Sequence, residues 1–462
     1  MRTTTIDATD LAGRLRAAGL SGRVATPDDA DYDALRRVAD ASRDDRPAAI
    51  ALVESPDDVA RVVSVARATG AQLAVRSGGH SGAGHSTTDG GIVLDLRGLK
   101  GLEIDAVDRT AWAETGLTAV EVTSAAAEHG LAVGFGDTGS VGIGGITTGG
   151  GIGFLVRKHG MTIDSVLAAD VVTADGQSLR IDADHHPELF WAIRGGSGNV
   201  GVVTRFKYRL QPLAGVVGGI LVLPATADTV AGFMAAAAAA PEELSTIANV
   251  MNCPPMPFVP EEHHGKLVNL AFMCYAGDAE SGQRALAPFR ALATPLADLV
   301  APIKYPEMYA GEPEDADYRP TATGRTMFLD HVDRATAATM LERLEASDAP
   351  MRAVQLRALG GAMARVPADA TAFAHRSAPI LAVIVSFYEG GADKPRRKAW
   401  VEDLSRAIDQ GVPGAYVNFL FDDSPESVRR AYPEATRKRL ARVKAAYDPD
   451  NFFRHNQNIP PA

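Results

Sequence analysis

Arg76-Ser77-Gly78-Gly79-His80-Ser81 sets a histidine at the tip of a glycine loop, and the residues around it say what carries that loop. Upstream, Ala48 to Val53 is a short apolar run of strand character, and Ser55-Pro56-Asp57-Asp58 supplies an N-cap, a proline at the first helical position and acidic charge in the first turn. Val59, Val62, Val63 and Ala66 then recur at helical spacing as far as Gly70, where a helix would stop. Gln72 to Val75 makes a second strand that runs into the loop, so the whole reads as strand, helix, strand, glycine turn. Without side chains, positions 78 and 79 let the backbone come close to a diphosphate and turn its N–H groups toward the anion. By itself a histidine beside glycines is a turn residue; its meaning here depends on the rest of the chain.

A chain of 462 residues exceeds the ~250 to 300 at which single cores stop growing, so two domains with a ligand between them are expected. The apolar and charged fractions, 46% and 22%, are those of an ordered globular protein. A formal charge of −11 argues against a general nucleic-acid or anionic-membrane surface, leaving a small molecule as the partner. Cys253 and Cys274 are too few for a disulfide framework and lack metal-ligand spacing, so no metal is expected. Met1 to Asp7 has no apolar signal core and no run reaches the ~18 apolar residues of a membrane span, which gives a cytoplasmic reading. The alanine run Ala235 to Ala240 reads as a surface helix.

A second glycine cluster extends from Gly134 to Gly153 and contains one literal match to the dinucleotide fingerprint, at Gly134, Gly136 and Gly139. That fingerprint has meaning only where a helix opens on it, and Ser140 to Gly153 holds seven more glycines, each costing ~1 kcal/mol against alanine in a helix. No Rossmann helix is expected to start there. Nor does an acidic residue close a second strand where a ribose-binding carboxylate would stand. The alternatives are a backbone cradle for a diphosphate and a flat ring, or a glycine-rich turn with no ligand.

Taken together, Arg76 to Ser81, the strand Ile92 to Leu96, and the segments Gly142-Ile143-Gly144-Gly145 and Gly149-Gly150-Gly151-Ile152-Gly153 resemble the flavin loops of the vanillyl-alcohol-oxidase-like flavoproteins. Within them the chain is most similar to the bacterial branch of the berberine-bridge-enzyme-like FAD-linked oxidases, from about Arg46 to the C-terminus. The resemblance implies an α+β fold: a two-part FAD-binding domain of the PCMH type over 1–215 (core about 46–215), an antiparallel-sheet substrate domain covered by helices over 216–410, and a segment over 411–462 that returns to the first domain. It implies FAD bound covalently through His80, with Arg76, Ser77, Gly78, Gly79, Ser81, Gly139, Val141, Gly144, Gly145, Gly149, Gly150, Gly153, Gly198 and Val203 around the cofactor. His85, in the same loop, faces solvent or bonds locally on this reading.

Two departures from the family pattern stand in the cradle. Many members have a cysteine, a second bond to the flavin, where this chain has Thr138, so no cysteinyl link is expected; they also often have a histidine where Ile146 stands. Val141 falls where the family has a small or bulky gatekeeper for oxygen, and valine favours an oxidase; simple packing is the alternative.

Farther on, Pro187 to Ala192 reads as a turn of helix, and Arg194 to Val203 resembles the stretch that packs along adenine and diphosphate. Thr204 to Leu210 alternates as an edge strand would. Leu267 to Met273 and Pro379 to Ser386 read as strands, Glu280 to Leu292 and Ala335 to Ala346 as helices. Gln355 and Arg357 share one face of an extended segment, which meets substrate if it is the flavin side and solvent if it is not. His375 is read as structural.

The terminal run Tyr447-Asp448-Pro449-Asp450-Asn451-Phe452-Phe453-Arg454-His455-Asn456-Gln457-Asn458, and Tyr416-Val417-Asn418-Phe419 before a helix with Tyr432 and Leu440 inward, match the family's C-terminal signature. The resemblance puts Tyr416 above the flavin as the catalytic base and Asn456 and Gln457 at its pyrimidine edge; a core tyrosine with a satisfied hydroxyl is the other reading. The activity implied is oxidation of an alcohol, sugar or secondary metabolite with O2 as acceptor and hydrogen peroxide as product, by a monomer or homodimer. A dehydrogenase or oxygenating enzyme on the same fold, and a non-catalytic flavin carrier, are the alternatives.

Overall fold

A computed structural model describes residues 8–310 and 320–462; the signal-core reading of Met1 to Asp7 lies outside the described residues. The loop that opened the sequence reading hangs from a four-stranded sheet in the order Arg23–Ala25, Ala49–Leu52, Ile92–Asp95, Leu73–Arg76, the first pair antiparallel and the rest parallel. The helix that crosses over between Ala49–Leu52 and Leu73–Arg76 is Pro56–Thr69. Ser55 caps it by accepting from the Asp58 N–H, and Gly70 ends it at a φ of 70°. Val59, Val62, Val63 and Ala66 are its buried face, so cap, period and stop signal agree, as local codes do when packing supports them.

The second layer is an antiparallel five-stranded sheet in the order Leu102–Asp105, Thr110–Glu114, Val202–Arg209, Val166–Val172, Ser178–Asp182. Here one expectation fails. Val202–Arg209 is the central strand, not an edge: its alternation records one face packed and one half-open, which a middle strand of an antiparallel sheet shows as well as an edge does.

The glycine cluster also differs from expectation. Ile143–Gly149 is a two-turn helix. Two of its three glycines are required by neighbours: a Cβ at Gly144 would lie 3.0 Å from the Thr115 Cβ, and one at Gly149 would lie 1.8 Å from Asn418 Oδ1, while Gly145 has open space. Close packing thus outweighs the helix propensity that glycine lacks.

An eight-stranded antiparallel sheet begins at Val216. Its order is Ala297–Asp298, Val216–Pro224, Leu267–Tyr275, Leu244–Asn252, Arg352–Ala358, Ile380–Phe387, Ala322–Leu329, with Ala301–Ile303 also on Val216–Pro224. Helices Ala227–Ala239, Ala279–Arg290, Arg334–Glu345 and Lys394–Ala407 cover one face through Phe233, Phe289, Met340 and Leu404, among others. The opposite face, with Ile247, Phe328 and Leu381, packs toward Phe154, Ile152 and Tyr416. The architecture is α+β.

The chain then returns to the first two sheets. Tyr432 and Leu440 are both buried there, but Tyr432 caps the end of one helix, Pro425–Ala431, and Leu440 lies on the next, Glu434–Tyr447, because Pro433 interrupts the run between them. Among the described residues no helix is long and apolar enough to cross a membrane, and no cluster of three metal-ligating side chains occurs. Cys253 and Cys274 are buried and unpaired.

Candidate active site

The two glycine loops meet back to back. A Cβ at Gly78 would lie 2.2 Å from the Gly142 nitrogen, and one at Gly142 would lie 2.2 Å from the Gly78 nitrogen, so neither position admits a side chain. Ser77 stitches the contact, its Oγ donating to the Thr115 carbonyl at 2.5 Å and accepting from the Gly144 N–H at 3.3 Å. Gly79 turns the chain at a φ of 80°. In front of this junction lies a cavity of about 360 Å³, lined by Ser77 to Gly82, by Gly136 to Thr138, Val141, Gly144 and Gly145, by Gly198 and Val203, and by Tyr416, Asn456 and Gln457.

Several expected cofactor residues stand behind that lining rather than in it. Arg76 is buried under the loop, its guanidinium donating to the carbonyls of Ser86, Leu35 and Arg36 and lying 3.7 Å from Asp95. Burial pulls its pKa down to about 10, with Asp95 opposing. Arg76 therefore shapes the loop and does not reach the cavity. Gly139 is held by its carbonyl to the Val120 N–H. Gly149 and Gly153 are packing positions, a Cβ at Gly153 coming 2.3 Å from the Gly136 carbonyl, and Gly150 makes a turn at a φ of 139°.

Tyr416 is fully buried and reaches the cavity with its ring edge-on to Phe373 and Phe419. Its hydroxyl oxygen accepts from the Gly151 N–H at 2.8 Å and from Asn418 Nδ2 at 2.9 Å, leaving its own proton for a third partner. Burial pushes the phenol up to about 12, against the pull of the two donors and of the positive Arg357. Arg357 donates to Asp137 Oδ2 at 2.6 Å, to Gln355 Oε1 and to the Ile152 carbonyl, and lies over the Phe419 ring. Gln355 donates in turn to Asn249 Oδ1 at 2.9 Å. Gln355 and Arg357 thus lie on the sheet face turned away from the helices, behind the cavity wall, with their polar atoms already engaged.

Sequence reasoning missed two histidines. His85 bonds locally, its N–H donating to Ser81 Oγ, and lines the cavity rather than facing solvent. Its ring stands edge-on to His455 at 5.5 Å, and burial first, then His455, push its pKa down to about 4. His455 is fixed between Gln72 and the Thr87 carbonyl. Asp137 was equally invisible, one acid among glycines. His375 bonds the Ala431 carbonyl at 3.0 Å away from the cavity.

The cavity suits FAD. Glycine backbone forms one wall, and Asn456 Oδ1 is buried at it without a hydrogen-bond partner, as an atom awaiting a polar ligand is, while His85 Nε2 lies 3.8 Å from Asp423 Oδ2. Residues 47–182 match the FAD binding domain model, and 415–460 match the model described as berberine and berberine like. (R)-6-hydroxynicotine oxidase of Paenarthrobacter nicotinovorans is 30% identical over 455 residues, 96% of this chain and 97% of that protein.

The chain belongs to the berberine-bridge-enzyme-like FAD-linked oxidoreductases. Berberine bridge enzyme-like 17 of Arabidopsis thaliana is 27% identical, covering 90% of this chain and 85% of its own. Among solved structures, 6-hydroxy-D-nicotine oxidase from Arthrobacter nicotinovorans superposes with a TM-score of 0.85 at 28% identity, over 96% of this chain and 99% of that one. This berberine-bridge-enzyme-like protein is accordingly an FAD-dependent oxidase, with FAD as its cofactor.

Proposed function

We propose that the enzyme oxidises a small alcohol, sugar or amine with O2 as acceptor, that His80 carries FAD through a single covalent link, and that Tyr416 takes the substrate's O–H or N–H proton. The observation that carries this reading is the Tyr416 hydroxyl: buried, at the cavity, and accepting two hydrogen bonds. Those donors and the Arg357 charge favour a phenolate, while burial opposes it. Bound FAD supplies a two-electron acceptor that is reoxidised by O2 to give hydrogen peroxide. The chain's own work is to hold the substrate's acidic proton at Tyr416 Oη, keep bulk water out with Phe419 and Ile152, and fix the Tyr416 ring between Phe373 and Phe419.

Thr138 in place of the family's cysteine supports one link rather than two, and Val141 at the cavity wall supports access for oxygen. The division into 1–215, 216–410 and 411–462 fits a cofactor clasped between the first and last segments and covered by the eight-stranded sheet. The substrate named for the relative, a hydroxynicotine, supports a cyclic amine as one candidate. The test is the flavin spectrum of the purified protein against alcohol, sugar and amine panels, with and without oxygen. Anaerobic bleaching followed by recolouring in air with peroxide release is expected. A spectrum that stays yellow with every reductant substrate removes the oxidase reading in favour of a carrier.

A further inference from the structure

Lys444 lies on the inner side of the helix Glu434–Tyr447 and is completely buried, as is Asp448 one turn later. Its Nζ donates to the Phe453 carbonyl at 2.6 Å and to Asn458 Oδ1 at 3.3 Å, and stands 3.4 Å from Asp448 Oδ2. Asp448 uses its two oxygens on the N–H groups of Phe452 and Phe453, at 2.7 and 2.9 Å. The pair therefore grips four points of one strap, residues 448–458, from both sides of its backbone.

That strap carries Phe453, His455, Asn456 and Gln457 into the cavity wall. Its far contacts reach both flavin-side sheets. His455 bonds Gln72 and Thr87, while Asn456 donates to Gly198 and the Gln457 carbonyl accepts from Asn199. The Phe453 carbonyl is shared between Lys444 and Asn456 Nδ2, so two hydrogen bonds to one oxygen link the buried ammonium to the amide whose Oδ1 is orphaned at the cavity.

We propose that Lys444 and Asp448 act as one positioning unit, a buried charge pair that holds the C-terminal strap in the shape that closes the cavity on FAD. A buried ion pair is weak evidence for fold stability. Burial pulls the Lys444 ammonium down to about 8, with Asp448 opposing, and a lysine depressed below its ordinary value contributes less stability as pH falls through that range. Buried pairs are often replaced by well-packed apolar residues of similar volume without loss of stability. What a neutral replacement loses is the geometry of the strap.

The inference rests on FAD as the ligand of the cavity. The experiment compares the full-length His80→Ala protein with the same protein carrying Lys444→Met and Asp448→Asn, by fluorescence titration with FAD and by melting of the FAD-free forms. The expected result is an FAD dissociation constant at least about tenfold weaker with a melting temperature within about 3 °C. A dissociation constant within about twofold overturns the proposal. So does a melting temperature lower by more than about 3 °C, which makes the pair structural. If the unmutated protein already releases its FAD, the covalent reading has failed and the same comparison is made without His80→Ala, so the two failures are distinguishable.

Discussion

The guanidinium of Arg357 joins the strand Arg352–Ala358 to the glycine cradle, donating to Asp137 Oδ2 at 2.6 Å while lying 4.8 Å over the Phe419 ring. Tyr416 is two residues before that phenylalanine's own neighbour Asn418, and its phenol feels the Arg357 charge. Around the phenol stand Arg357 with Asp137 on one side, and beyond Phe373 the Arg376–Asp164 pair and His375.

Arg357→Met should therefore slow substrate reduction of the flavin by roughly 10- to 100-fold and move the rise of that rate to higher pH by about one unit, because the phenolate loses its nearest cation and Asp137 loses its partner. Anaerobic stopped-flow reduction across pH measures both. An unchanged profile would show that Arg357 only ties the sheet to the cradle.

His80→Ala should turn a flavin that stays with the polypeptide through acid precipitation into one that is released, with the fold intact, since His80 lies at the exposed loop tip and lines the cavity. Peptide mass spectra of the unmutated protein should place the adduct on the peptide containing His80 and on no cysteine peptide. Cys274 is buried and its thiol is pushed up to about 12 by burial, which disfavours the nucleophilic thiolate. Flavin found in the supernatant of the unmutated protein contradicts the link.

What the sequence carried and what it withheld divide along the range of the interactions. Ser55 and Gly70 were legible because cap and stop are decided within four residues. Gly78 and Gly142 were legible as glycines but not as partners, since their contact joins loops far apart in the chain. The helix Ile143–Gly149 was hidden because Thr115 and Asn418, which forbid side chains there, are not local. The pairing of Arg357 with Asp137 was hidden for the same reason, the two being 220 positions apart. Arg76 misled because the resemblance puts the whole run Arg76 to Ser81 around the cofactor, whereas its burial among three carbonyls makes it a brace.

Val141→Phe should leave reduction by substrate near its original rate and slow reoxidation in air by about tenfold or more, because the side chain lines the cavity between the cradle and the flavin-side loops. Double-mixing stopped flow separates the two half-reactions. Slow reoxidation already in the unmutated enzyme assigns it to the dehydrogenases, and equal slowing of both halves makes residue 141 a packing position.

Tyr416→Phe keeps the ring against Phe373 and Phe419 and removes only the oxygen that Gly151 and Asn418 contact. If that oxygen accepts the substrate proton, the reduction rate falls by roughly 10²-fold or more. The pH dependence is the sharper signature. With the phenol pushed up to about 12, its ionised fraction at neutral pH is small and grows about tenfold per pH unit, so the rate should climb with pH in the unmutated enzyme and lie flat in the variant. The window is bounded by stability. A tyrosine raised above its ordinary value of about 10 contributes stability that is complete below that pH and is lost as pH rises through its folded value, so the profile is measured below pH ~10. Loss of bound flavin or of expression in Tyr416→Phe would mark a structural hydroxyl serving the Gly151 N–H, and a parallel climb in both proteins would leave the base to another group.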